Sequence, residues 1–221
     1  MATLVVVASA AASTGALDST TTSAMASASN GRRLAAIAHR SIQSGFVLHA
    51  PGTRTVYVVD GSDVAWYQLA SPSNEDVPAI PTGLTPEAVK IACTWWNRQA
   101  NGTYWQLNGS YVVAGIPGLV QMVANFDHEG FDGTVSTDQT AAEETFTFIE
   151  KPTEHVPYSV TMIAVTRNGY LRTLNVRESG PKIESAHYSI ALGHFGNVRV
   201  MAPLRSEISH VQTVQGLCSQ P

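Results

Sequence analysis

The sequence predicts an all-β protein, an antiparallel β-sandwich of jelly-roll type with a flexible N-terminal arm and one short helix. Short runs rich in Val, Ile, Phe, Tyr and Thr recur from residue 45 to residue 203, with polar turns between them. Two-residue hairpin signals punctuate these runs at Gly61-Ser62, Asn108-Gly109 and Asn168-Gly169. No helical segment alternates regularly with the strands, so a parallel βαβ sheet is not expected.

Residues 1–44 form the arm. Ala2 to Gly31 is dominated by Ala, Ser and Thr, with no aromatic residue and Asp18 as its one acid. Such a composition offers no period that buries a face, and ordering a chain costs about 1–2 kcal/mol per residue. The arm is expected to order only against a neighbour. From Gly31 to Ser44, Leu34, Ile37, Ala38 and Ser41 keep 3–4 spacing, which predicts a short amphipathic helix.

The β domain covers residues 45–203. GFVLHA is a strand, and TVYVVD and DVAWYQL flank Gly61-Ser62 as a hairpin. Ala70 to Pro86 is Pro- and Ser-rich and reads as a loop. Val89 to Trp96 fits both periods. Thr85-Pro86-Glu87 resembles a helix start, so one helical turn followed by a strand is expected. Tyr104–Leu107 and Tyr111–Val113 flank Asn108-Gly109, and Leu119–Phe126 reads as a further strand. Asp127 to Ala142 is acidic and glycine-rich and reads as a loop. ETFTFIE alternates as a strand, and YSVTMIAVT and YLRTLNV flank Asn168-Gly169, whose residues suit the positive φ angles of a type I′ turn. Ser185–Leu192 and Asn197–Ala202 are expected to pair around Gly193–Gly196. Residues 204–221 form a tail without a clear period.

Composition bounds the function. A chain of 221 residues is one domain, or one domain with an arm. Charged residues are 14%, against about 25% for an ordinary soluble domain. A surface so poor in charge suits a chain packed against copies of itself, or one that is glycosylated. The net charge of −4 and pI near 5.9 argue against a conventional nucleic-acid-binding domain. The apolar run Leu4 to Ala12 is too short for a membrane span and lacks the preceding basic residues of a signal peptide. Cys93 and Cys218 match no metal or redox spacing. They read as one buried thiol and one in the tail.

No phosphate-binding glycine loop, HExxH, GxSxG or EF-hand loop occurs, and no histidine pair falls at metal-ligand spacing. An enzyme is not expected. The metal candidates are Asp127, Glu129 and Asp132, where an acidic loop offers oxygens to a Ca²⁺ shared between subunits; the plainer reading is a solvated loop. Arg32, Arg33 and Arg40 are the candidate phosphate contacts, against solvation of a helix face. Asn101-Gly102-Thr103 and Asn108-Gly109-Ser110 are glycosylation sequons, but Asn-Gly is also favoured by turns themselves. Trp66, Trp95, Trp96 and Trp105 concentrate in one third of the chain with Tyr67, Tyr104 and Tyr111. They suit a core, a subunit contact or, on a surface, a glycan-binding site.

Three stretches carry a family likeness. GFVLHAPGTRTVYVVDGSDVAWY (Gly45 to Tyr67), VKIACTWWNRQANGTYWQLNGSYVVAGIP (Val89 to Pro117) and YSVTMIAVTRNGYLRTLNV (Tyr158 to Val176) resemble early, middle and late strand segments of jelly-roll coat proteins of small icosahedral RNA viruses, of nodavirus and tombusvirus type. The resemblance implies a capsid protein that self-assembles into a virion shell. Its partners would be copies of itself, with viral RNA contacted through the arm and the host cytoplasm as the place of assembly. This arm departs from the pattern in being nearly neutral, and the chain has no Asn-Ala dipeptide at which such coats cleave themselves. The alternative is a β-sandwich module binding a glycan or receptor, lectin-like or a viral protrusion, through Trp95, Trp96, Trp105 and Tyr104.

Overall fold

The computed structural model describes residues 14–108, 116–125, 133–150, 152, 159–180 and 183–213. These form twelve strands and two helices. In chain order they are α1 (Thr14–Ser44), β1 (Phe46–His49), β2 (Thr53–Asp60), β3 (Asp63–Ser73), β4 (Ala88–Ile91), β5 (Thr94–Arg98), β6 (Tyr104–Asn108), α2 (Ile116–Ala124), β7 (Gly133–Gln139), β8 (Glu144–Glu150), β9 (Ser159–Arg167), β10 (Tyr170–Gly180), β11 (Ile183–Gly193) and β12 (Ile208–Thr213). A 3-10 turn at Arg205–Glu207 leads into β12.

All described strands belong to one open sheet, in the order β12-β6-β5-β4-β3-β2-β1-β11-β10-β9-β8-β7. Two antiparallel meanders, β1–β6 and β7–β11, meet where β1 pairs with β11. The fold is mostly β, as expected, in a sheet that does not close on itself. The sheet is also mixed, because β12 pairs with β6 in parallel.

Two of the hairpin signals form as expected. Asp60 pairs with Asp63 across Gly61-Ser62, and Gly61 has a φ of 62°. Arg167 and Tyr170 close the turn at Asn168-Gly169, whose φ angles of 55° and 76° are the positive pair a type I′ turn demands. The second strand expected after Asn108-Gly109 lies outside the described residues.

Several elements differ from expectation. The arm is not without structure: residues 14–44 are one helix. Alanine is the strongest helix former, and the repeated Ser and Thr do not interrupt it. Leu34, Ala35, Ile37, Ala38 and Ser41 are buried. Ser27 and Asn30 continue the same stripe with polar side chains, which hid its length from a hydrophobic count. Leu119–Phe126 is not a strand, since residues to 124 are α2. Pro117 fits its first turn, and Val120, Val123 and Ala124 are buried at 3–4 spacing. No helical turn precedes Trp96; Ala88–Ile91 and Thr94–Arg98 form a tight hairpin with Ala92 at a φ of 48°. β7 occupies part of the expected acidic loop. Residues 197–202 form no strand, and the tail supplies β12 instead.

Alternation along each strand gives the sheet two cores on opposite sides. Phe46, Leu48, Val59, Phe146, Phe148, Met162, Leu174 and Ile190 pack under α1 and α2. Val47, Val56, Val58, Ala65, Val89, Trp96 and Tyr104 pack on the other side, beneath Val77, Ile80, Leu84, Val198 and Val200 from the connecting segments. Each cover reaches only part of the sheet.

Candidate interaction surfaces of the sheet

Two half-faces lie beyond these covers, at opposite ends of the sheet. On the side of β7–β10 away from α1, the outward residues are Thr134 and Ser136, Thr145, Thr147 and Ile149, Thr161, Ile163 and Val165, then Thr173 and Asn175. Ile149 and Ile163 are exposed, and Thr and β-branched residues dominate because such side chains stand well on a pleated surface. The charges at this face, Asp138 and Arg177, sit at its margins.

The second half-face is aromatic. Tyr57, Trp66, Ala88, Asn97, Trp105 and His210 lie opposite one another in one row across β2, β3, β4, β5, β6 and β12; Tyr57 packs against the core under α1 and Ala88 is buried, so the open part of the row runs from Asn97 to His210. The next row on this side holds Val64, Lys90, Trp95, Leu107 and Gln212. Trp105 is 48% exposed and packs on the His210 ring at 5.5 Å between centroids. Trp95, Asn97 and Leu107 are half-buried beside it. Lys90 donates to the carbonyl of Ser62 at 3.1 Å, so the cation of this face is turned to a neighbouring hairpin. The Trp66 indole N–H is buried without a hydrogen-bond partner among the described residues.

The four rings assigned to ligand binding therefore divide. Trp96 and Tyr104 are core. Trp96 Nε1 donates to Gln106 Oε1 at 3.2 Å, and the Tyr104 hydroxyl donates to the carbonyl of Pro86 at 2.6 Å. Burial pushes the Tyr104 phenol up to about 12; the Glu207 and Glu87 carboxylates add to this and Arg98 opposes it. Trp95 and Trp105 share the open side, as the alternation TWWNR on β5 dictates.

The three arginines assigned to phosphate also divide. Arg33 pairs with the carboxylate of Glu144 and lies over the Phe146 ring at 5.3 Å, fastening α1 to β8. Arg40 lies over the Asn168-Gly169 turn: a Cβ at Gly169 would sit 2.5 Å from its Nη1. Arg32 is exposed. The helix spreads these cations along itself, and two of them hold the fold.

Asp127, Glu129 and Asp132 lie outside the described residues; among the described ones no group of acids, His or Cys is arranged to hold a metal. Asn101 Oδ1 accepts the N–H of Thr103 at 3.0 Å and its hydroxyl at 2.7 Å, so this sequon is built as an Asx turn. Cys93 is not a buried thiol. It is exposed at the β4–β5 turn and is disulfide-bonded.

The stripe that begins at Ser41 runs on through polar Asn30 and Ser27, which the hydrophobic spacing does not reveal. Ser27 Oγ accepts the N–H of Val135 at 2.8 Å, and Asn30 Nδ2 donates to the Val135 carbonyl at 3.0 Å. Ser41 Oγ accepts the N–H of Leu171 at 3.0 Å, beside the bulge between Leu171 and Thr173. Small polar residues at helical spacing were its signal. Each meets a backbone group that the sheet ladder leaves over.

No protein-family model, curated protein or solved structure matches the chain. Its functional reading rests on these surfaces. No described helix is long and apolar enough to cross a membrane.

Proposed function

We propose that this chain is a structural subunit that associates with copies of itself, the coat-protein role to which the sequence likeness points. One observation carries the reading: the sheet is covered on one side at each end, leaving a Thr/Ile half-face and a Trp half-face nearly free of charge. Interface cores are depleted in charge and enriched in aromatic residues. Two such surfaces at opposite ends of one sheet give a subunit the separate contacts a shell requires, since each copy must meet more than one neighbour. The shortage of charge, 14% of residues, falls in the same places. Electron microscopy and sedimentation of the purified chain across concentration, pH and calcium test this. Closed particles support it; a monomer under every condition sinks it.

Trp95 and Trp105 on one open side, with Asn97 between β4 and β6, favour a second reading as a glycan-binding surface. Indole faces stack on sugar rings and an amide fixes hydroxyls. Glycan-array binding that is lost in Trp105→Ala supports that reading; an array without signal removes it.

A further inference from the structure

The two edges of the sheet are treated differently. An edge strand presents unpaired N–H and C=O groups, and proteins that remain single protect such edges with charge, proline, bulges or a covering helix. The β7 edge is protected: α1 crosses it, and Ser27 and Asn30 occupy both backbone groups of Val135. At the other end β12 carries Ile208-Ser209-His210-Val211-Gln212-Thr213, with no Lys, Arg, Asp, Glu or Pro. No described strand pairs with its outer side.

β12 is also the strand that gains most from a second partner. It is held by β6 alone, in the one parallel ladder of the described sheet, and parallel pairing is the weaker kind. Large apolar side chains are exposed around it. Val211 is 56% exposed, Trp105 on β6 is 48% exposed, and Met201 and Leu204 in the segment leading into β12 are 77% and 67% exposed. A six-residue ladder alone buries less than the ~1,200 Å² of a stable interface; apolar side chains flanking it supply more.

We propose that β12 pairs with β12 of a second copy of this chain, joining two sheets edge to edge. The occupant follows from the strand itself. Identical edges related by a two-fold axis run antiparallel, and an uncharged strand places no like charges opposite each other on self-pairing. The resulting dimer closes the open edge and is the unit whose faces make further contacts. The inference deepens the structural-subunit reading and rests on it.

The test is sedimentation velocity of the 221-residue chain over a hundredfold range of concentration, for the wild type, Val211→Lys, Leu204→Ser and Gln139→Lys. Val211 and Leu204 are exposed, so both variants keep the monomer fold, which far-UV circular dichroism checks. A charge on β12 is expected to weaken dimerisation at least tenfold, and Leu204→Ser to weaken it in the same direction. Gln139→Lys, at the protected β7 edge, leaves it unchanged. Dimerisation as tight in Val211→Lys as in the wild type overturns the edge pairing and leaves the subunit reading standing. A wild type that never associates overturns both.

Discussion

Ser27 on α1 and Val135 on β7 are joined by a hydrogen bond of 2.8 Å from the Val135 N–H to the Ser27 hydroxyl. The contact spans 108 positions of sequence and completes an edge strand with a helix side chain. Asn30, one turn on, takes the carbonyl of the same residue. The helix thus acts as a protecting layer at one end of the sheet, although its sequence reads as an unstructured arm.

Removing this protection costs stability and solubility together. The double variant Ser27→Ala, Asn30→Ala loses two part-buried hydrogen bonds, each worth about 0.5–1.5 kcal/mol. It also frees the β7 edge to pair with other chains. Thermal unfolding should fall by several degrees, and light scattering on heating should begin earlier than in the wild type. Unchanged scattering would show that the helix does not guard the edge.

Ser41 supports the sheet at its bulge. It is fully buried, donates to the Ile37 carbonyl at 2.9 Å and accepts the Leu171 N–H at 3.0 Å. Ser41→Ala leaves that N–H buried without a partner, at a cost of about 1–3 kcal/mol. Amide hydrogen exchange at Leu171 should quicken more than at neighbouring residues of β10. Substitution at the exposed helix position Ala36 should leave the Leu171 rate as it is.

Tyr104 sets an alkaline limit. Burial raises its phenol from 10.0 to about 12 in the folded chain, and Tyr57 and Tyr67 are raised in the same direction by burial. A raised pKa means the folded state holds the proton more tightly than the unfolded state. The stabilisation is complete below the unfolded value of 10.0 and is lost as pH rises to about 12. Stability should therefore fall across this window, with a shallower slope in Tyr104→Phe. At neutral pH that variant should be slightly less stable, because the bond to Pro86 is gone. Denaturant unfolding at pH 7, 10 and 11.5 checks both signs.

Cys93 is disulfide-bonded, and the sequence contains one other cysteine, Cys218. Reductant should lower the unfolding temperature of the wild type and leave Cys93→Ser unaffected. Native disulfides commonly contribute about 2–4 kcal/mol. A thiol titration of the denatured, unreduced chain should find no free thiol.

The sequence makes local chemistry visible and long-range chemistry obscure. Asn168-Gly169 and Gly61-Ser62 are legible because their residues alone select the turn. Phe146 and Phe148 alternate with Thr145 and Thr147, so β8 and its buried side are legible too. Leu119–Phe126 misleads because a short apolar run suits helix and strand alike, and only its packing beside α1 decides. β12 is obscure because IleSerHisValGlnThr has no alternation, and its pairing with β6 depends on residues about a hundred positions away. The same holds for the aromatic cluster. Trp95 and Trp96 are neighbours in sequence, yet the pleat sends Trp96 into the core and Trp95 to the open side. Arg33 and Arg40 look like free cations until Glu144, Phe146 and the turn at Gly169 are brought beneath α1.

The central claim is that the chain is built to associate with itself. Its most direct measurement is the mass of the purified 221-residue chain in solution by analytical ultracentrifugation as concentration rises. A mass that climbs from the monomer value of 23.5 kDa to a defined dimer and then to larger closed species is the predicted result. A single 23.5 kDa species throughout, under oxidising conditions and with or without calcium, would contradict it.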